Sequence, residues 1–126
     1  MTQVLLRSLL ILSTLNIACS SSTKVIDAGP LPKSVIRDII MSRDKQYLDC
    51  YERQLKVKND LKGEIVMKIH ISNQGEVLKS VVHKSTMNNS EVERCIADNF
   101  KELRFLAPKS GKTLIITYPL RFKPKN

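Results

Sequence analysis

The chain has 126 residues, 42% of them hydrophobic and 26% charged, with three cysteines and no tryptophan. That length is enough for one small domain and no more; with three Phe and three Tyr the core is modest, so a covalent staple would help. The formal charge of +9 favours anionic partners (nucleic acid, anionic lipid headgroups or acidic polymers of a cell envelope) without choosing among them, and it equally suits a plain solvated surface.

Met1 to Arg7 is a short start with one positive charge. Ser8 to Leu15 is an apolar run, and Ile17-Ala18-Cys19 ends in a small residue and a cysteine. This is the layout of a secretory signal. The apolar run is shorter than the roughly 20 residues of a transmembrane helix. Around Cys19 the sequence resembles a bacterial lipobox, which implies a signal peptide over residues 1–18 and a covalent lipid on Cys19. Asn16 stands where that pattern prefers Leu. Ordinary cleavage after Ser20 and an uncleaved N-terminal anchor are the other two arrangements that fit. Residues 19–30 then form the lipidated cysteine and a polar tether. Fully extended, Ser20 to Pro30 reaches about 40 Å at about 3.5 Å per residue, so the domain over residues 31–126 stays near its membrane. Ser20 following Cys19 points to the outer membrane, facing the periplasm, if enteric sorting rules apply.

With Cys19 lipidated, Cys50 and Cys95 remain. An even pair in an oxidising compartment suggests a disulfide, worth roughly 3–4 kcal/mol. Two buried free thiols are the alternative. Zinc is not expected, because there is no C-x-x-C and neither His70 nor His83 lies near a cysteine in sequence.

Pro32 suits the first turn of a helix. Val35, Ile36, Ile39 and Ile40, then Tyr47, Leu48, Tyr51 and Leu55, recur at three- and four-residue steps. They predict an amphipathic helix over about 33–58, with a break point near Arg43-Asp44. Gly63 to Ser72 alternates, with Ile65, Met67, Ile69 and Ile71 on one face, as in a half-buried strand. Asn73-Gln74-Gly75-Glu76 reads as the turn. Val77 to Thr86 is the returning strand, and its adjacent Val77-Leu78 and Val81-Val82 predict a bulge near Lys79. Ser90 and Glu93 are spaced as a capping box, ahead of a helical stripe of Val92, Ile96, Phe100 and Leu103. A third strand, Leu114 to Phe122, carries Leu114, Ile116, Tyr118, Leu120 and Phe122 on one face.

The fold class is therefore α+β: a three-stranded antiparallel sheet packed against two helices in the order α-β-β-α-β. Pro119 cannot donate to a ladder, which places the third strand at an edge. The backbone of Ile115, Thr117, Pro119 and Arg121 then faces outward, and that of Ile116, Tyr118 and Leu120 faces the neighbouring strand.

Several pieces together carry a resemblance: Cys50-Tyr51-Glu52 followed by Leu55; Leu61-Lys62-Gly63-Glu64; Asn73-Gln74-Gly75-Glu76-Val77; Val92 to Ile96 with its Cys95; Phe105 and Pro108; and Tyr118-Pro119-Leu120-Arg121-Phe122. Residues from about 34 to 124 resemble a TonB C-terminal-like domain of the AgmX/PglI type. The resemblance implies a Cys50–Cys95 bridge. It also implies a non-catalytic module that captures an unidentified envelope protein or peptide by strand addition along Ile115, Thr117, Pro119 and Arg121. Energy transduction from the inner membrane is not expected, since no long Pro-rich spacer precedes the domain. A structural component touching peptidoglycan or anionic lipid by charge, and a transport or motility accessory protein, are the alternatives.

No catalytic constellation stands out. Gly111-Lys112-Thr113 lacks the earlier glycine of a P-loop and leads into a strand. His70 and His83 have no partner that suggests a triad. Glu91 and Glu93 suit a helix start. The basic residues are scattered without interleaved aromatics, and with the export signal this argues against nucleic acid. No cofactor is expected beyond the lipid on Cys19.

Overall fold

The structure, a computed structural model, describes residues 31–125; the expected signal peptide, Cys19 and the tether lie outside the described residues. In chain order the elements are α1 (Lys33–Met41), α2 (Asp44–Leu55), β1 (Gly63–Ile71), β2 (Val77–Ser85), α3 (Ser90–Lys101) and β3 (Leu114–Phe122). The three strands form one antiparallel sheet in the order β2-β1-β3. Among the described residues no helix is long and apolar enough to cross a membrane.

The expected first helix is two, so the described residues hold three helices rather than two. The Ser42 hydroxyl donates back to the Ile39 carbonyl at 2.6 Å. Arg43 then leaves helical geometry at φ −115°, ψ 22°. The Asp44 carboxylate accepts from the Lys45 amide at 2.7 Å and opens α2. The expected capping box is also corrected by one residue. Asn89, not Ser90, caps α3, and its side-chain oxygen accepts from the Val92 amide at 3.0 Å. Ser90 is already helical.

One face of β1 is the floor of the core. Ile65, Met67, Ile69 and Ile71 all have zero exposure, and Val92, Ile96 and Phe100 of α3 are equally buried. Tyr47 of α2 stacks on Phe100 with ring centroids 5.1 Å apart, and Tyr51 lies 5.1 Å from Phe122 of β3. The Tyr51 hydroxyl donates to the Leu61 carbonyl at 2.5 Å, which fixes the segment entering β1.

The irregular pattern of β2 comes from two bulges. Pairing passes from Ile71↔Val77 to His70↔Lys79, and from Met67↔Val82 to Val66↔Lys84. Leu78 and His83 are therefore the extra residues, one of them beside Lys79. Each bulge sets two successive residues against one partner. Val77 and Val82 thus pack on the core, and Ser80 is buried there too. At the β1–β2 turn, Gly75 has φ +88°, and a Cβ there would lie 2.0 Å from the Phe105 carbonyl oxygen. Only glycine fits, because Phe105 donates its amide to the Gly75 carbonyl at 2.8 Å and holds the α3–β3 loop against the turn.

The Tyr47 hydroxyl is buried with no hydrogen-bond partner among the described residues. Burial pushes its pKa above the ordinary 10.0, against a smaller lowering by Arg43. An unpaired buried donor costs about 1–3 kcal/mol. Tyr47→Phe is therefore expected to raise stability near neutral pH by about 1 kcal/mol. A phenol whose pKa is higher folded than unfolded contributes fully below its unfolded value, and that contribution falls as pH rises above about 10. Urea titrations across that range should show the parent losing stability more steeply than Tyr47→Phe. Equal slopes, or a destabilised variant, would contradict the assignment.

Candidate functional site

The nine residues of β3 pair with the nine of β1 without a register shift, from Gly63↔Phe122 to Ile71↔Leu114. Pro119 has no N–H, so the pair Val66↔Pro119 cannot exchange both ladder bonds and must be a non-bonded pair. Antiparallel pairs alternate. It follows that Ile115, Thr117 and Arg121 also turn their backbone groups away from β1, and Ile116, Tyr118 and Leu120 turn theirs toward it. Among the described residues no hydrogen bond reaches the outward amides of Ile115, Thr117 or Arg121. The Arg121 side chain is engaged on the face of the sheet, where it donates to the Glu64 carboxylate of its cross-strand neighbour.

The opposite edge is different. β2 carries both bulges, and the α3–β3 loop bridges its start through Glu76↔Arg104. Bulges and coverage are the usual means of blunting a sheet edge. β3 has one blunting residue, Pro119, and its stretch from Leu114 to Tyr118 is regular.

That stretch borders a cleft of about 470 Å³ lined by Leu31, Lys33 and Ile36 together with Leu114 to Tyr118. The start of α1 thus provides an apolar wall beside the open backbone. Ile36 stood out in the sequence as part of a helical stripe, but nothing local connected it to β3. Leu31, 8% exposed, precedes the helix and carried no periodic signal.

Cys50 and Cys95 are joined as a disulfide with a Cα–Cα distance of 5.8 Å, linking α2 to α3. Arg53 donates from Nη2 to the Cys95 sulfur at 2.9 Å. Asn99 donates to the Cys95 carbonyl at 2.9 Å and lies 3.5 Å from the Cys50 sulfur. Arg43 joins this seam through an ion pair with Glu102 at 2.8 Å. The clefts on either side of the bridge, about 460 and 340 Å³, are lined by charges of both signs. His70 and His83 do not meet in one pair: His70 is opposite Lys79, and His83 is a bulge residue. Among the described residues no three His, Cys, Asp or Glu side chains gather as metal ligands.

No family model matches the sequence, and no curated protein matches it. The structure is similar to the NMR solution structure of the TonB C-terminal domain of Helicobacter pylori, with a TM-score of 0.56 and 22% identity, over 74% of this chain and 80% of that one. The fold is TonB C-terminal-like. Among the described residues of this TonB-like fold, the helices cover one face of the sheet and leave the other face and the β3 edge open.

The bridge spans 45 residues of sequence. By the loop-entropy relation such a closure contributes roughly 4 kcal/mol. Cys95→Ser is expected to lower the thermal midpoint under non-reducing conditions, and dithiothreitol should bring the parent down to the variant. An unchanged midpoint would count against the bridge.

Proposed function

We propose that this chain is a non-catalytic binding module of the bacterial cell envelope, an outer-membrane lipoprotein held by lipid on Cys19. In this reading it acts as a periplasmic adaptor that captures an extended segment of an envelope protein along β3. The observation that carries the reading is the regular outer edge of β3, unpaired among the described residues, beside the α1 cleft. The TonB-like fold supports an interaction role. The pairing of Cys50 with Cys95, which the AgmX/PglI-type resemblance implies, supports that finer assignment.

The chemistry is main-chain pairing. A captured strand would exchange hydrogen bonds with the amides and carbonyls of Ile115 and Thr117. Pro119 offers its carbonyl alone, so the register stops or shifts there. Side chains of the captured strand alternate between the two faces of the sheet. One set would enter the apolar cleft against Ile36 and Leu31, and the other would lie on the solvent side. Backbone pairing supplies affinity, and the cleft selects aliphatic residues at alternate positions.

The test is photo-crosslinking from position 117 in living cells, with mass spectrometry of the adduct. A discrete envelope protein caught there, and not from a helical site such as Lys45, is the expected result. With that protein in hand, Thr117→Pro should weaken binding by about tenfold or more, since it removes the central outward donor and blocks its neighbours. Its thermal midpoint should stay near the parent's, because an outward N–H bonds nothing in the fold. Full binding by a folded Thr117→Pro variant removes strand addition.

A further inference from the structure

The face of the sheet turned away from the helices has its own composition. On β1 it carries Glu64, Val66, Lys68 and His70, which alternate with the four buried residues. Directly paired residues share a face. Lys79, Val81 and Lys84 of β2 therefore flank His70, Lys68 and Val66 on one side. Ile115, Thr117 and Pro119 flank the same three residues on the other. The bulges add Leu78 and His83 to this face, because each doubles up with the lysine that follows it.

The charge left over on this face, once its one ion pair is set aside, is positive. Glu64 is its acidic residue, and Arg121 takes up that carboxylate. Among the described residues, Lys68, Lys79 and Lys84 have no carboxylate within ion-pair distance. The helical layer behind is mixed, with Asp49, Glu52, Glu91, Glu93 and Asp98 among its basic residues. Between the lysines lie aliphatic side chains in water: Leu78 is 63% exposed and Ile115 is 53% exposed.

We propose that this open face docks on a phospholipid surface bearing anionic headgroups. Ammonium groups and exposed aliphatic side chains on one plane are what a bilayer interface accepts together: lysines reach phosphate while the aliphatic groups enter the headgroup boundary. An acidic protein or polysaccharide would satisfy the lysines but give Leu78, Val81 and Ile115 no apolar partner. The proposal rests on the envelope reading above, in which a short tether keeps the domain close to the membrane. Docked in this way, β3 keeps its outward backbone groups in the plane of the sheet, free to pair. Each lysine at an anionic surface favours the docked state by about fivefold, so the three together favour it by on the order of a hundredfold.

The test uses the full protein extracted from its own membranes and added to vesicles of phosphatidylcholine, with or without phosphatidylglycerol. Flotation reports attachment. Brief acylation followed by mass spectrometry reports the reactivity of Lys79 and Lys84 relative to Lys45 on α2. The expected result is flotation with both compositions, and a drop of about fivefold or more in the relative reactivity of Lys79 and Lys84 on the anionic vesicles. About 1 M salt should reverse it, because screening there acts within about 3 Å. Flotation with both compositions and equal reactivity overturns docking and leaves the anchor standing. Flotation and protection with the anionic vesicles alone support docking and remove the anchor. Flotation with neither removes both.

Discussion

Ile65, Met67, Ile69 and Ile71 of β1 bear the weight of this fold. They are wholly buried, and they lie on the strand that gives one edge to β2 and the other to β3. A three-stranded sheet has little stability of its own until one face is covered. Here the cover is α3, tied to α2 by the Tyr47–Phe100 stack and by the Cys50–Cys95 bridge. The helices of the described residues make one layer. The sheet is therefore covered on one side, and the rest of the molecule's behaviour follows from what remains open.

What remains is an edge and a face. The two edges are unequal because the bulges at Leu78 and His83 kink β2, whereas β3 follows β1 in unbroken register. The same bulges that keep Val77 and Val82 on the core push Leu78, Lys79, His83 and Lys84 outward. One local irregularity thus blunts an edge and enriches the open face in basic groups. The face and the β3 edge meet along Ile115 and Thr117, whose side chains belong to one and whose backbones belong to the other. A single strand can serve both because side chains stand perpendicular to a sheet and backbone groups lie within it.

Much of this architecture could be read from residue order. Strict alternation in β1 was plain because one of its faces is entirely buried. Pro119 alone argued for the edge position of β3. The return strand was harder: a bulge breaks the period of two, and which residue is extra is decided by pairing with β1 rather than by any local preference. The cap of α3 is ambiguous by one residue in the sequence, since Asn89 and Ser90 are both good capping residues; in the fold Asn89 takes the position, next to the left-handed Asn88 at φ 51°. The cleft beside β3 needs α1 and β3 together, elements separated by most of the domain. The basic face was invisible for the same reason. Lys68, Lys79 and Lys84 are scattered along the sequence, and only the pairings His70↔Lys79 and Val66↔Lys84 gather them.

Strand capture at β3 requires that its alternate backbone groups be open to a partner strand. Residue-resolved amide hydrogen exchange by NMR on the free protein measures this directly. The expected pattern alternates: fast exchange at Ile115, Thr117 and Arg121, and slow exchange at Ile116, Tyr118 and Leu120, which bond to β1. Uniform protection along β3 would mean that its edge is already paired or covered, and strand capture there would be ruled out.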